Sequence, residues 1–331
     1  MNILITTGIY PPKIGGPAQY AKNLKEEFLK MGHSVSVKTF TIEDRLPTGV
    51  RHIFFLFKTI PSFLAADKIF TLDTFSVGFP TVLLGFVFRK KVVIRTGGDF
   101  LWESYVERTS KKVLFRQFYK TEKENFTFYE KIIFQITKFT VNKCYKVIFS
   151  TDWQRDIFID AYEMNNHKTT IVENYYGSKE ESADFEDQTF VASARNLVWK
   201  NFDVLENVFK KFREEYSQAK LFTENLKYAE FMEKIRRSYA VVLVSIGDIS
   251  PNMILDAIRL NKPFICTREI GIYDRLKSCG IYVDPLNEQE ILGALRAIMD
   301  VEVYKAEKKK VQDFNFTHSW QEIAQEFLNI K

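Results

Sequence analysis

The stretch SIGDISPNMILDAIRLNKPFICT, from Ser245 to Thr267, decides the fold of this chain. It follows the apolar, β-branched run AVVLV and predicts a loop, a helix and a second strand. Ser250 is the expected N-cap of the helix and Pro251 its first residue, and the sequence NKP ends the helix before the strand PFICT. A strand, a helix and a further strand in this order form one unit of a parallel α/β sheet.

The start of that helix predicts an anion-binding site, because free backbone N–H groups and the helix dipole both favour negative charge there. We expect Ser250, Pro251 and Asn252 to surround this site. Asp248 lies in the preceding loop, and Asp256 lies about two turns into the helix. Two carboxylates beside an anion site would suit a sugar nucleotide, whose hydroxyls need acceptors while its phosphates need donors. An ordinary βαβ unit with one loop Asp and one surface Asp is the alternative.

The composition is that of a soluble globular protein with room for two domains, since the chain has 331 residues and 27% charged side chains. Cys144, Cys266 and Cys279 are odd in number and lack metal-ligand spacing, which argues against a disulfide framework and a zinc site. The apolar run from Phe75 to Phe88 contains Gly and Pro and predicts a buried helix rather than a membrane span. No signal-peptide pattern precedes the first strand, so a cytoplasmic location is expected.

The N-terminal sequence predicts a first βαβ unit with a glycine-rich turn. NILITT is a strand, Gly15 and Gly16 close the loop after it, a helix runs from about Pro17 to Met31, and SVSVKTF is the next strand. Paired glycines let backbone N–H groups approach a ligand closely, although a flexible loop is the alternative. The dinucleotide fingerprint GxGxxG is absent, which argues against a Rossmann-type oxidoreductase.

A second glycine pair follows the predicted strand KVVIR in the sequence TGGDFLWE. Gly97 and Gly98 permit a tight turn at the carboxyl end of the strand, where Asp99 can project into a ligand site. A carboxylate there can orient or deprotonate an acceptor hydroxyl. Capping of the following helix is the other role open to Asp99.

The segment 103–146 is unusual because ten Lys or Arg residues stand against five Glu, an excess equal to the net charge of +5 of the whole chain. Aromatic residues interleave with these charges: Phe115, Phe118, Tyr119, Phe126, Phe128, Tyr129, Phe134 and Phe139. Basic helices with bulky apolar faces commonly lie on anionic membrane surfaces. No nucleic-acid-binding module accompanies the segment, so nucleic acid is not an expected partner. Core-facing aromatics with a solvated lysine face are an equally good interpretation.

Two cations follow the predicted strand TFVAS, namely Arg195 and Lys200 in the sequence SARNLVWKN. Fixed cations at the mouth of a strand are what a departing diphosphate needs, because charge builds on it as the bond breaks. The pair alone is a weak signal.

Taken in this order, the glycine pair IGGPAQYAKNL, the cations of ARNLVWKN and the carboxylates of GDISPNMILDAIRLNKPFI resemble the motifs of the retaining family-4 glycosyltransferases of GT-B fold. Members carry a GG loop after the first strand, a segment similar to GRLxxxKG, and an E-x7-E motif. The resemblance covers nearly the whole chain and is strongest from Thr189 to Pro285. It implies an α/β fold with two Rossmann-like α/β/α domains whose parallel sheets face a central cleft.

The resemblance also implies domain boundaries. Residues 1–167 would form the N-terminal, acceptor-binding domain, and residues 168–315 the C-terminal domain that binds a nucleotide-sugar donor. A C-terminal helix of about 316–331 would pack back on the first domain.

For the donor, the resemblance implies that Arg195 and Lys200 hold the diphosphate, Asp256 the ribose hydroxyls and Asp248 the transferred sugar. The segment TREIGIYD would approach the sugar and phosphate through its backbone near Gly271. The start of the helix at Ser250, Pro251 and Asn252 would complete this donor site.

For the acceptor side, Gly15 and Gly16 would line the cleft, together with Gly97, Gly98 and Asp99. Asp99 stands where many relatives place a histidine, so it is the candidate for a catalytic or acceptor-contacting role, beside Arg195, Lys200 and Asp248 as catalytic residues of the donor site.

The chain departs from the family pattern at three places. Both acidic positions of E-x7-E are Asp, which shortens each reach by one methylene, and Ala194 replaces the glycine that usually precedes the Arg. The usual strand and glycine-bearing loop before Tyr239 are reduced to SQAKLFTENLKYAEF, so a small second domain is expected.

The sequence therefore predicts a retaining hexosyltransferase that moves a sugar from a nucleotide-diphosphate donor to a glycan or lipid-linked acceptor. The resemblance implies that no bound cofactor and no metal are needed, and the absence of Asp-x-Asp agrees with this expectation. The expected location is cytoplasmic and peripheral at the inner face of the membrane, through residues 103–146. The alternative is a catalytically silent sugar-nucleotide-binding or scaffold protein of the same fold.

Overall fold

The computed structural model of the protein describes residues 1–13, 15–181, 183–192, 197–224 and 226–330. The chain divides into two compact units, each built around a parallel sheet. The first unit comprises residues 1–101, 122–175 and 318–331, and the second comprises residues 102–121 and 176–317.

The first unit contains six parallel strands in the order β2-β1-β3-β4-β5-β6. The strands are β1 (Asn2–Thr7), β2 (Ser34–Thr39), β3 (Lys68–Thr71), β4 (Val92–Arg95), β5 (Lys146–Phe149) and β6 (Thr169–Ile171). The helices that begin in this unit are α1 (Gly16–Lys30), α2 (Val50–Ala65), α3 (Gly78–Phe88), α4 (Phe100–Thr109), α6 (Phe128–Lys143), α7 (Asp152–Tyr162) and α14 (Trp320–Leu328). Helix α4 crosses into the second unit after its second residue, and α5 (Phe115–Thr121) lies wholly there.

The second unit contains five parallel strands in the order β11-β10-β9-β7-β8. The strands are β7 (Thr189–Ala192), β8 (Lys220–Phe222), β9 (Ala240–Leu243), β10 (Phe264–Thr267) and β11 (Ile281–Val283). The remaining helices are α8 (Phe202–Glu215), α9 (Tyr228–Arg237), α10 (Asn252–Arg259), α11 (Tyr273–Leu276), α12 (Glu288–Met299) and α13 (Val301–Asp313).

The strands form where short β-branched runs can be buried on both faces. All four residues of β7, β9 and β10 are buried, as expected for strands of a parallel sheet with helices on both sides. Alternate side chains of these strands enter two separate apolar cores, one beside α8 and α12 and the other beside α10. The predicted parallel α/β sheets are confirmed.

The observed units differ from the predicted domains at two places. Residues 168–175 lie in the first unit because β6 pairs with β5, whereas the sequence assigned them to the second domain. Residues 102–121 belong to the second unit, where the Trp102 ring packs on that of Trp199, whereas the sequence assigned them to the first domain. The C-terminal helix α14 packs on α1, with the Trp320 ring centroid 4.9 Å from that of Tyr20.

Two helices differ from their predicted form. The N-cap of α10 is Pro251 rather than Ser250, and no side chain caps this helix. The predicted buried helix of residues 75–88 is α3, which begins at Gly78 and is buried only along part of its length. Its last turn ends at a left-handed Arg89, which leaves Phe86, Val87 and Phe88 exposed. In the part of the chain that the structure describes, no helix combines the length and apolarity needed to cross a membrane.

Candidate functional site

The candidate site lies at the carboxyl edge of the second sheet, where the loops after β7, β9 and β10 meet. These three strands are neighbours and run parallel, so their C-terminal ends lie at the same edge. The loop after β7 carries Lys200, the loop after β9 carries Asp248 and the loop after β10 carries Glu269. Arg195, predicted to hold a diphosphate, lies outside the described residues.

Lys200 and Asp248 form an ion pair across 48 positions of sequence. The Lys200 Nζ donates to the Asp248 Oδ2 at 2.7 Å, and the two side chains are only 11% and 14% exposed. The same ammonium lies 4.2 Å from the ring centroid of Trp199. The predicted phosphate-binding cation and the predicted sugar-binding carboxylate are therefore adjacent, and each neutralises the other.

The backbone around Asp248 is fixed by two hydrogen bonds to the loop after β10. The Asp248 N–H donates to the Glu269 carbonyl, and the Gly271 N–H donates to the Asp248 carbonyl, both at 2.9 Å. These bonds make a one-residue parallel bridge between Asp248 and Ile270. The Gly271 N–H, predicted to approach a ligand, is used within the loop, so a ligand would need other donors of this segment.

Asp256 lies in the middle of α10, where burial raises the pKa of its carboxyl to about 6. The hydroxyl of Tyr228, the first residue of α9, donates to the Asp256 Oδ1 at 3.1 Å and partly opposes that rise. Arg259, one turn further on, opposes it through its charge. The predicted ribose-binding carboxylate thus has a raised pKa of about 6, and Tyr228 is a second polar group at the same place.

The N-terminus of α10 offers donors without a protein cap. The Ser250 Oγ is inaccessible to solvent and has no hydrogen-bond partner among the described residues. Pro251 has no N–H to donate, whereas Asn252 begins the helix and is exposed. A phosphate at this end would meet the backbone N–H groups at the start of the helix.

Arg116 was not predicted to belong to this site, yet its Nη2 lies 2.6 Å from the Glu269 Oε1. Glu269 is 3% exposed, whereas Arg116 is 56% exposed. Burial raises the pKa of the Glu269 carboxyl, and the Arg116 guanidinium opposes that rise. Residue spacing could not reveal a pair that joins positions 116 and 269; the only sequence signal was the excess of cations in 103–146.

The segment that carries Arg116 is held to the loop after β7 by ring packing and to the loop after β9 by one backbone bond. Trp102 packs on Trp199, with ring centroids 5.7 Å apart, and the Phe115 N–H donates to the Ile246 carbonyl. A Cβ on Gly247 would lie 2.7 Å from the Phe115 Cβ and 2.8 Å from the Trp102 ring. Gly247 is therefore required for this close approach, and the segment fixes the loop that presents Asp248.

The glycine pairs and Asp99 lie in the first unit. Gly15 is the N-cap of α1 and Gly16 its first residue, so the pair lies at a helix N-terminus after β1. Asp99 directly precedes α4 and is 3% exposed. The Gly98 carbonyl accepts a hydrogen bond from the Thr96 hydroxyl, and a Cβ on Gly97 would lie 2.3 Å from the Arg95 Nη1. The acceptor roles of these residues stay predictions.

The aromatic residues of 103–146 mostly belong to the cores. Phe115, Phe118, Phe126 and Phe134 are buried, whereas Phe128 and Tyr129 are about three-quarters exposed, at 74% and 76%. The interpretation as core-facing aromatics with solvated lysines thus describes most of this segment. Only the first turn of α6 keeps the surface character that a membrane-binding segment requires.

Within the described ranges, no three His, Cys, Asp or Glu side chains are grouped so that they could hold a metal ion. Cys144, Cys266 and Cys279 are buried free thiols.

Comparison with solved structures identifies the architecture. HepE of Anabaena, solved with UDP-glucose, matches with a TM-score of 0.66 and 14% identity, covering 99% of this chain and 98% of HepE. Sucrose-phosphate synthase of Thermosynechococcus elongatus matches with a TM-score of 0.69 and 12% identity over 99% and 98% of the two chains. WaaG, a glycosyltransferase involved in lipopolysaccharide biosynthesis, matches with a TM-score of 0.65 and 12% identity over 100% and 99%.

The chain has the GT-B fold. The prediction of this fold from three short motifs is confirmed. No protein-family model and no curated protein sequence matches the chain. At these levels of identity, the likeness to the solved GT-B structures establishes the fold alone.

Proposed function

We propose that this chain is a glycosyltransferase that binds a nucleotide-diphosphate sugar in its second unit and transfers the sugar to a glycan or lipid-linked acceptor. The observation that carries the proposal is the Lys200–Asp248 pair beside the uncapped N-terminus of α10. The solved GT-B structures support the choice of donor, since HepE was solved with UDP-glucose. Retention of anomeric configuration and membership of family 4 are part of the proposal and follow from the motif resemblance.

The reaction requires the bond between the sugar's anomeric carbon and the diphosphate to break, while the acceptor oxygen forms a new bond to that carbon. Charge develops on the leaving diphosphate, so preorganised cations and N–H donors lower the barrier. In our proposal Lys200 turns from Asp248 to the diphosphate, assisted by Arg195 and by the donors of Ser250 and Asn252 after Pro251. The Asp248 carboxylate, once Lys200 has left it, accepts a hydrogen bond from a sugar hydroxyl.

Two further residues complete the proposed donor site. Asp256 accepts hydrogen bonds from the ribose hydroxyls. Because its pKa is raised to about 6, this role depends on pH in that range. Gly271 contributes indirectly, because its N–H donates to the Asp248 carbonyl and so holds the loop that carries Asp248. On the acceptor side, Asp99 orients or deprotonates the acceptor hydroxyl, with Gly97 and Gly98 or Gly15 and Gly16 allowing close approach. Bound metal and cofactor have no part in the proposal.

The partners proposed besides the donor are the acceptor and an anionic membrane surface, which would place the enzyme at the inner face of the cytoplasmic membrane. Nucleic acid is not a proposed partner.

Transfer assays with a panel of uridine, guanosine, adenosine and thymidine diphosphate sugars would test this function against glycan and lipid-linked acceptors. We expect one donor to be consumed with transfer, and Arg195→Ala and Lys200→Ala to slow both transfer and donor hydrolysis. Unchanged rates in both variants would show that the diphosphate assignment is wrong.

A specific observation favours a second candidate, a catalytically silent sugar-nucleotide-binding protein. Lys200 and Asp248 satisfy each other, and Asp is shorter than the Glu of the family motif at both acidic positions. Calorimetry that detects donor binding, without transfer to any acceptor of the panel, would support this candidate.

A further inference from the structure

Exposed apolar side chains are concentrated on three helices of the first unit. Of the 20 large hydrophobic residues that are exposed among those described, 11 lie on α2, α3 and α6. They are Val50, Ile53, Phe54, Phe57 and Leu64 on α2, Phe86, Val87 and Phe88 on α3, and Phe128, Tyr129 and Ile132 on α6. Single exposed apolar residues are ordinary, but a group of this size on neighbouring elements marks an interaction surface.

The three helices are neighbours, with α3 in contact with both α2 and α6. The ring centroids of Phe63 and Phe88 lie 6.2 Å apart, which joins the C-terminal ends of α2 and α3. Lys90, just beyond α3, donates to the carbonyls of Phe63, Leu64 and Ala66 and fixes the same junction. The exposed side chains of α2, α3 and the first turn of α6 are called the docking face below.

Helix α2 has apolar side chains on two opposite sides. Its inner side is formed by Phe55, Thr59 and Phe63, which are buried. Its outer side carries Val50, Phe54, Phe57 and Leu64, whose spacing of four, three and seven residues places them along one stripe. Apolar stripes of a helix normally face a neighbouring element, whereas the outer stripe of α2 is exposed among the described residues.

The charges of the docking face have one sign. Among the described residues of α2, α3 and α6, Glu130 is the single acidic one. Its side chain is buried and forms a capping box with Thr127. The exposed basic residues are Lys131 and Lys143 on α6, and Arg89 and Lys91 directly after α3. Lys58, Lys90 and Lys138 are held inside the unit by Glu43, by the carbonyls at the junction of α2 and α3, and by Glu163. This arrangement is complementary to an anionic partner.

We propose that the docking face binds an anionic lipid bilayer at its interface, with Phe54, Phe57, Phe86 and Tyr129 at the level of the headgroups and the basic residues on the lipid phosphates. Aromatic side chains and the stems of Lys and Arg favour that boundary. A second copy of the chain fits less well, because a two-fold dimer would place the same basic residues against each other.

This surface differs from the predicted one, since it consists mainly of α2 and α3 and shares only α6 with the segment 103–146. The inference extends the membrane part of the proposed function. It rests on that function only to explain why the protein would bind a membrane. Vesicle binding needs no sugar donor, and donor binding needs no vesicle, so the two proposals fail independently.

Flotation of the full chain with vesicles tests the proposal. One set contains phosphatidylcholine alone, and the other also contains phosphatidylglycerol. We expect the protein to float with the anionic vesicles at low salt and to be released at high salt, because exposed charges are screened. The double variant Phe57→Ser and Phe86→Ser should lose about tenfold or more in vesicle affinity, through lost apolar insertion. The double variant Arg89→Glu and Lys131→Glu should lose binding to the anionic vesicles.

Matched controls lie on α13 of the second unit. Val301 is 62% exposed and Lys309 is exposed, so Val301→Ser and Lys309→Glu remove one exposed apolar and one exposed basic side chain away from the docking face and should leave flotation unchanged. Unchanged thermal unfolding would show that the docking-face variants fold. Absence of wild-type flotation at low salt, or equal binding by the Phe57→Ser, Phe86→Ser variant and the controls, would overturn the proposal. So would light scattering that shows a dimer abolished by that variant, since the face would then join two copies of the chain.

Discussion

The candidate donor site and the docking face are both places where residues lie in unusual surroundings, but in opposite senses. At the donor site, charged side chains are buried and are held by partners: Lys200 by Asp248, and Glu269 by Arg116. On the docking face, aromatic side chains are exposed and lack the cover that such residues normally have. Buried charge predicts a small polar ligand that can replace an internal partner, whereas exposed apolar area predicts a broad surface.

The largest expected effect separates the two sides of α2. Phe63→Ala should lower the free energy of unfolding by about 3–5 kcal/mol, because the ring is fully buried and its removal leaves a cavity. Phe57→Ala should change it by no more than about 0.5 kcal/mol, because that ring is 66% exposed. Urea unfolding of both variants measures the difference. A large loss for Phe57→Ala would mean that the outer stripe is part of the core and not a docking surface.

At the donor site, Lys200→Ala should weaken donor binding about 100-fold, or ~2.7 kcal/mol, as expected for a lost hydrogen bond to a charged group. The variant also leaves Asp248 without its cation. Lys211→Ala is the control, since it removes an exposed pair with Glu288 from the same unit. Calorimetric titration with the donor measures both. Equal losses in the two variants would indicate a general electrostatic effect rather than a site.

Arg116→Ala should weaken donor binding about tenfold, because Glu269 would lie buried without its cation and the loop that fixes Asp248 would loosen. Arg116→Lys should restore part of this affinity. Lys112→Ala removes a neighbouring ion pair with Asp203 and should leave donor affinity unchanged. If Lys112→Ala lost as much donor affinity, the effect would come from loosening of the segment 102–121 and not from the loss of the Arg116–Glu269 pair.

The smallest expected effect is a pH dependence of a few-fold in donor affinity, centred near pH 6. Ionised Asp256 is the better acceptor for ribose hydroxyls, so affinity should rise as pH increases through its pKa of about 6. Tyr228→Phe removes the hydrogen bond that lowers this pKa, so the midpoint should move upward. Asp256→Asn should abolish the dependence. A midpoint that stays in place in Asp256→Asn would assign the titration to another group.

The raised pKa of Asp256 also affects stability, which should fall as pH rises, whereas donor affinity should increase. The folded protein holds the Asp256 proton more tightly than the unfolded chain does, because the folded pKa lies above the usual carboxyl value. This group therefore stabilises the fold most below about pH 4 and loses that contribution as pH rises through 6. Replacement by Asn should remove this contribution to the pH dependence of unfolding.

Much of the fold followed from local sequence signals. The strands β7, β9 and β10 are apolar runs of the length that a parallel sheet buries, and the loops between them carry the polar residues of the predicted site. Lys200 and Asp248 were both identified because each follows a strand. Their direct contact could not be predicted, since register and side-chain direction depend on tertiary packing.

Features that depend on distant contacts were missed. The Arg116–Glu269 pair joins residues 153 positions apart, and no local pattern links them. Aromatic content alone could not tell the buried Phe118 from the exposed Phe57, because Phe118 lies in a helix with charged neighbours and Phe57 in a largely apolar one. Ser250 was predicted as a cap from its type, but the helix begins after Pro251 and leaves the Ser250 hydroxyl without a partner among the described residues.

In our proposal, Lys200 and Asp248 form the centre of a nucleotide-sugar site. Calorimetric titration of the full chain with the diphosphate-sugar panel, repeated with Lys200→Ala and Lys211→Ala, tests it most directly. We expect at least one donor to bind the wild type, Lys200→Ala to weaken this binding about 100-fold and Lys211→Ala to leave it unchanged. Failure of every donor to bind, or equal affinity of the wild type and Lys200→Ala, would contradict it.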